Sequence, residues 1–207
     1  ETLFVDYDDF NIDDLNLYFV EICARSFGSY KDYIYKNLPR NLKPYEFMFL
    51  REPYGRTLSL FSYLQSSQSA HEPSHGAYDS NTFIEHLNSP QLQGSWLIHN
   101  LLNVPDPEII TQDHYEQTCN ILDNMLVSDI SDVDYVIVKI FNECYNLGLD
   151  IKDFLNKKIT RGLRINTNTT KDKLEYPFES LDEETKNHFL NQTKWDYKIY
   201  NKYVNIT

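Results

Sequence analysis

The chain has 207 residues, a formal charge of -12, and 16 Tyr and 12 Phe, enough for one domain with a substantial aromatic core. No run approaches the roughly 18 consecutive apolar residues of a membrane-spanning helix, and no basic, apolar and small-residue series marks a signal peptide. The acidic balance argues against broad nucleic-acid binding, which draws its affinity largely from Lys and Arg neutralising phosphates.

In chain order, Thr2 to Tyr7 reads as a strand. The turn at Asp8, Asp9 and Asn11 then supplies caps for a helix from about Asp13 to Phe27, ended by Gly28. Tyr30 to Leu38 is short and irregular, closed by Pro39 and Pro44. Residues 46–51 follow as a buried strand, because Phe47, Met48, Phe49 and Leu50 form the continuous apolar run of a covered parallel strand. Pro53 sits where a first helical turn tolerates proline, so a helix is expected from there to about Leu64. Gln65 to Asn81 is polar, aperiodic and long enough to be a functional loop. Short helices are expected at Thr82 to Leu87 and Trp96 to Leu102, and a longer one at Thr111 to Met125 with Tyr115, Cys119 and Leu122 inward. Val133 to Ile140 is strongly β-branched and predicts a second buried strand, with a helix over Phe141 to Leu149.

Cys23, Cys119 and Cys144 are odd in number and show no Cys-x-x-Cys spacing, which fits buried free thiols in a reducing, cytoplasmic compartment. The glycosylation sequons at Asn168, Asn191 and Asn205 are discounted in a chain so rich in Asn and Thr. Because the chain opens on Glu1 and not on methionine, a natural beginning upstream is expected; an anchor there would place the protein in the Golgi lumen instead.

The most informative residues are Leu50-Arg51-Glu52-Pro53-x-x-Arg56-x-x-Ser59, followed by Phe61 and Tyr63. Arg51 falls at the carboxyl edge of the expected sheet, where open α/β sheets bind ligands, and Ser59 lies two turns into the following helix, so guanidinium and hydroxyl can converge on one anion. The motif resembles the 3'-phosphate-binding motif of sulfotransferases. That resemblance implies that Arg51 and Ser59 grip the 3'-phosphate of 3'-phosphoadenosine 5'-phosphosulfate and that Arg56 is mainly structural. The order of later elements is similar too, as is the closing Trp195-Asp196-Tyr197-x-x-Tyr200, so the likeness spans about Phe19 to Tyr203.

Two features depart from that family. Its phosphosulfate loop, Pro-Lys-x-Gly-x-Ser/Thr at a helix amino terminus, does not occur, and the first strand-loop-helix unit carries Asp6, Asp8, Asp9, Asp13 and Asp14, which repel an anion. Either the loop lies upstream of Glu1 or it is lost. No His precedes the Arg-Glu-Pro motif to remove the acceptor's proton, which leaves Glu21, His71 and His75 as candidate bases; both histidines also read as ordinary exposed loop residues. Lys152, Lys157, Lys158, Arg161 and Arg164 form a basic cluster. By the resemblance Lys158, Arg161 or Arg164 touch phosphate or an anionic acceptor, whereas on pattern alone they are a solvated helix face.

The sequence therefore predicts a single α/β domain over residues 1–207, a mostly parallel sheet flanked by helices as in the sulfotransferases and the related P-loop nucleotide kinases. The expected activity is sulfuryl transfer from 3'-phosphoadenosine 5'-phosphosulfate to a hydroxyl acceptor, a carbohydrate by the branch the motif is closest to. The alternative is a non-catalytic module that binds a nucleotide or glycan. A small-molecule kinase is disfavoured by the lack of a Gly-x-x-x-x-Gly-Lys-Ser/Thr loop, and no metal-ligand spacing is present.

Overall fold

The apolar run at 47–50 folds as strand β1, Phe47–Leu50, and Leu50 at its end is buried while the other three are half-buried. The computed structural model describes residues 35–36, 45–64, 82–88, 94–104, 109–145, 148–160 and 176–204. Among them β1 pairs in parallel with one other strand, β2, Leu126–Asp129, in the register Phe47 to Leu126 through Leu50 to Asp129. Parallel neighbours require a crossover, and the described residues of this one form four helices. They are α1, Pro53–Leu64; α2, Phe83–Leu87; α3, Trp96–Leu102; and α4, Gln112–Leu122. After β2 come a 3-10 turn, Ile130–Asp132, then α5, Val133–Tyr145, α6, Ile151–Thr160, a second 3-10 turn, Phe178–Ser180, α7, Glu183–Gln192, and α8, Lys194–Tyr203. The class is α/β, with helices predominating over a two-stranded parallel sheet among the described residues.

Local chemistry sets most of these boundaries. Thr82 and Glu85 form a reciprocal capping box at the start of α2, with bonds of 3.1 and 3.0 Å, and Thr111 does the same for α4 with His114. Asp182 accepts from the Thr185 amide at 2.8 Å and opens α7.

Two expectations are corrected. Val133 to Ile140 is not a strand: it is the first part of α5, which continues to Tyr145 and so replaces the separate helix expected from Phe141 to Leu149. The second strand is β2, which begins directly after the expected end of the Thr111 helix at Met125; that helix stops at Leu122. The physical reason is tertiary: once Leu126–Asp129 pairs with β1, Val136, Val138 and Ile140 bury their side chains from a helix, and packing overrides the β-propensity of the run. The strand at Thr2 to Tyr7, the helix from Asp13 and the loop from Gln65 lie outside the described residues.

Among the described residues two clusters make the core. One gathers Leu50, Ile98, Leu101, Leu122 and Ile199 between the sheet end and α3, α4 and α8. The other is aromatic: Tyr54 meets Phe83, Phe178 and Phe189 edge-on, with ring centroids 5.7, 5.1 and 5.5 Å away, tying α1 to α2 and α7. Such edge-to-face pairs each contribute about 0.5–1.5 kcal/mol beyond the area they bury.

Candidate functional site at the carboxyl edge of the sheet

Both strands run toward the same edge, so residues just past Leu50 and at Asp129 meet there. Arg51 leaves β1 and is exposed. Glu52 turns back onto the helix that follows: one carboxylate oxygen, Oε1, accepts from the Tyr54 amide at 3.1 Å and the other, Oε2, from the Gly55 amide at 2.6 Å. Pro53 has no amide hydrogen, and the first helical bond runs from the Arg56 amide to the Glu52 carbonyl at 2.8 Å. The first amides of α1 are thus occupied by the chain's own carboxylate.

Helix α8 reaches the edge with two phenols one turn apart. Tyr197 donates to Glu52 Oε1, and Tyr200 donates to Asp129 Oδ2 at 2.5 Å. Asp129 Oδ1 takes the Ser131 amide at 2.7 Å, which caps the 3-10 turn. Burial alone would raise the Asp129 carboxyl, but the hydrogen bonds from Ser131 and Tyr200 and the charge of Arg51 hold it below the usual range. Burial first, and then Asp129, Glu52 and Asp132, push the Tyr200 phenol up to about 12. Burial and the bond to Glu52 raise Tyr197 further still. Neither tyrosine is ionised at neutral pH, so both act as donors.

Beside the edge lies a second polar group of different character. Arg56 packs with its guanidinium carbon 4.9 Å from the centroid of the Trp96 ring. The charge of Asp196 opposes the lowering of its pKa that burial causes. Asp196 is buried and accepts from the Trp96 and Leu97 amides at 3.2 and 3.3 Å. It therefore caps α3 from α8, in place of Ser95, whose left-handed φ of 58° aims no side chain at the helix. Burial raises the Asp196 carboxyl, and Arg56 and the amides at Leu97, Trp96 and Ser95 oppose that.

Of the residues singled out in the sequence, Arg51 stands at the strand end and Ser59 two turns into α1, half-buried on the face it shares with Gly55. Glu52 closes on that face, for a β-carbon at Gly55 would come within 3.3 Å of its Oε2. No side-chain hydrogen bond joins Arg51 and Ser59 to each other or to another described residue. Lys158 lies in α6 with its side chain outside the described ones, and Glu21, His71, His75, Arg161 and Arg164 lie outside the described residues altogether. Asp129 is not singled out by sequence reasoning for any role at a site, and Asp196, Tyr197 and Tyr200 enter it only as part of a closing pattern. The signal was there for the tyrosines, whose i, i+3 spacing puts both on one helix face. Among the described residues no group of three or more His, Cys, Asp or Glu is placed to hold a metal ion, and no helix is long and apolar enough to cross a membrane.

No protein-family model, no curated protein and no solved structure matches this chain.

Proposed function

We propose that this chain is a sulfotransferase-like protein that binds 3'-phosphoadenosine 5'-phosphosulfate with its 3'-phosphate on Arg51 and Ser59 and moves the sulfuryl group to a hydroxyl, on a carbohydrate by the resemblance of the motif. The observation that supports the reading is the junction itself. A parallel strand ends in an exposed arginine, turns through Glu52-Pro53 into α1, and carries Ser59 two turns on, while the motif's other arginine, Arg56, is taken up by Trp96 and Asp196. In-line sulfuryl transfer needs cations on the equatorial oxygens and a base on the acceptor hydroxyl. Lys158, Arg161 and Arg164 are the proposed further cations and Glu21, His71 or His75 the proposed base.

A second reading is a non-catalytic module on the same fold. What favours it is the charge at the edge: Glu52, Asp129 and Asp132 all act on the Tyr200 phenol there, Arg51 is the cation that acts on Asp129, and Glu52 fills the α1 amides. Titration of adenosine 3',5'-bisphosphate into wild type and Arg51→Ala tests what the two share. We expect micromolar binding by wild type and a loss of about 1.5–3 kcal/mol in the variant, the range for a charged hydrogen bond. Equal affinity of the two proteins would end the nucleotide reading. Release of sulfate to a glycan acceptor then separates enzyme from module.

A further inference from the structure

Glu52 follows Arg51 in the chain and the charge of Arg51 reaches Asp129, and both carboxylates are held by the same kinds of donor. Glu52 uses Oε1 for the Tyr54 amide and the Tyr197 phenol, and Oε2 for the Gly55 amide. Asp129 uses Oδ1 for the Ser131 amide and Oδ2 for the Tyr200 phenol. A guanidinium competes with an incoming phosphate most effectively when a carboxylate offers it two oxygens at once, in the fork geometry that makes Arg–carboxylate pairs strong. Here all four oxygens already accept a backbone amide or a phenol, and the charges of Arg51 and Asp129 sense one another without an ion pair between them among the described residues.

We propose that Tyr200, seconded by Tyr197, is a positioning residue for Arg51: the phenol keeps the Asp129 carboxylate on α8 and so leaves the guanidinium to an anionic ligand. The placement is economical in sequence, because one helix face presents both phenols to carboxylates that follow from adjacent parallel strands. Remove the Tyr200 hydroxyl and Asp129 Oδ2 loses its donor. The cation whose charge already acts on Asp129 is Arg51, and an arginine so occupied binds phosphate poorly. The inference rests on the reading of Arg51 as an anion-binding group, and the two fail in different ways.

The test uses wild type, Tyr200→Phe, Tyr200→Phe with Asp129→Asn, and Arg51→Ala. In the ligand-free proteins, nitrogen-15 NMR follows solvent exchange of the Arg51 Nε proton. We expect exchange to slow in Tyr200→Phe, as the released carboxylate engages the guanidinium, and to recover in the double variant, whose carboxamide carries no charge. Adenosine 3',5'-bisphosphate should bind Tyr200→Phe about 5- to 10-fold more weakly than wild type, the size of one hydrogen bond, and the double variant within about two-fold of wild type. A purely structural Tyr200 gives the opposite order, with the double variant weakest. Unchanged Arg51 exchange in Tyr200→Phe overturns the positioning role whatever the nucleotide does. Arg51→Ala binding as well as wild type, or wild type not binding, overturns the nucleotide reading while the exchange measurement still decides the role of Tyr200. If Tyr200→Phe folds poorly, Tyr197→Phe, which releases Glu52, is expected to show the same slowing, and its absence there counts equally against the proposal.

Discussion

Arg51 and Arg56 stand five residues apart at one strand-to-helix junction, yet the fold treats them in opposite ways. Arg56 is drawn under Trp96 and desolvated against Asp196, a carboxylate that also caps α3. Arg51 is exposed, and its two neighbouring carboxylates are tied to amides and phenols of their own. A buried carboxylate that caps a helix and answers the charge of a desolvated guanidinium is costly to remove, whereas an exposed guanidinium without a described hydrogen-bond partner contributes little to folding. The same residue type thus serves the fold in one place and, on the proposed reading, a ligand in the other, and each half of that contrast can be broken separately.

The largest effect is expected at Asp196. Asp196→Ala removes the cap of α3 and the carboxylate whose charge opposes the desolvation of Arg56, so unfolding by urea should show a loss of about 3–5 kcal/mol. Adding Arg56→Met should recover part of that loss. A double variant no more stable than Asp196→Ala would mean that the charge of Arg56 is not what makes the corner fragile.

Next comes Gly94, which lets the chain pass the end of α7. A β-carbon there would sit 2.1 Å from the Gln192 carbonyl oxygen, so Gly94→Ala must push apart the segment that leads Trp96 to Arg56 and Asp196. We expect a cost of about 3 kcal/mol in the same assay, the upper end for overpacking. A cost below about 1 kcal/mol would show that this corner yields, and that its rigidity does not distinguish it from the carboxyl edge.

How far the sequence discloses this contrast follows from the range of the interactions. The junction at Arg51 is legible because its determinants are neighbours: an apolar run, an arginine, a proline at the first helical position. Helices α3 and α4 are legible for the same reason, and Thr111 marks the start of α4 by its own capping box. β2 was hidden because Leu-Val-Ser-Asp is four residues long and continues a helical pattern, while the β-branched run after it is the better strand on propensity alone. Asp129-Ile-Ser-Asp132, a run of capping residues, was the available sign that a helix begins at Val133. The pairing of Asp196 with Arg56 and α3 was not legible at all, for it joins groups about 100 and 140 residues apart in sequence through burial, which no local pattern encodes.

A smaller effect ties pH to the buried side of the junction. His86 is 2% exposed, stacks on Phe61 with ring centroids 5.6 Å apart, and has its pKa pushed down to about 4, first by burial and then by the charge of Arg56. The unfolded chain takes up a proton near pH 6.5 that the folded protein refuses until about pH 4. Stability contributed by neutral His86 is therefore complete above pH 6.5 and declines as the pH falls from there toward 4. Asp196, whose carboxyl burial raises, works in the opposite sense, so the quantity to measure is the difference in urea midpoint between wild type and His86→Phe across that window. The gap should shift in favour of His86→Phe on acidification, and parallel curves would show that His86 does not sense the Arg56 corner.

The smallest stability effect is expected at Arg51, and there smallness is the informative result. Arg51→Ala should change unfolding by no more than about 0.5 kcal/mol, as for an exposed side chain outside any packed network. Arg56→Ala, which empties the space against Trp96 and strips Asp196 of its counter-charge, should cost several times that. A large loss at Arg51 would mean that its guanidinium already serves the fold through Asp129, which the phenol of Tyr200 is placed to prevent. A small loss at Arg51, at the carboxyl end of a parallel strand and near two carboxylates whose four oxygens already accept donors, would accord with the proposed reading of its guanidinium as a group for an anion arriving from solvent.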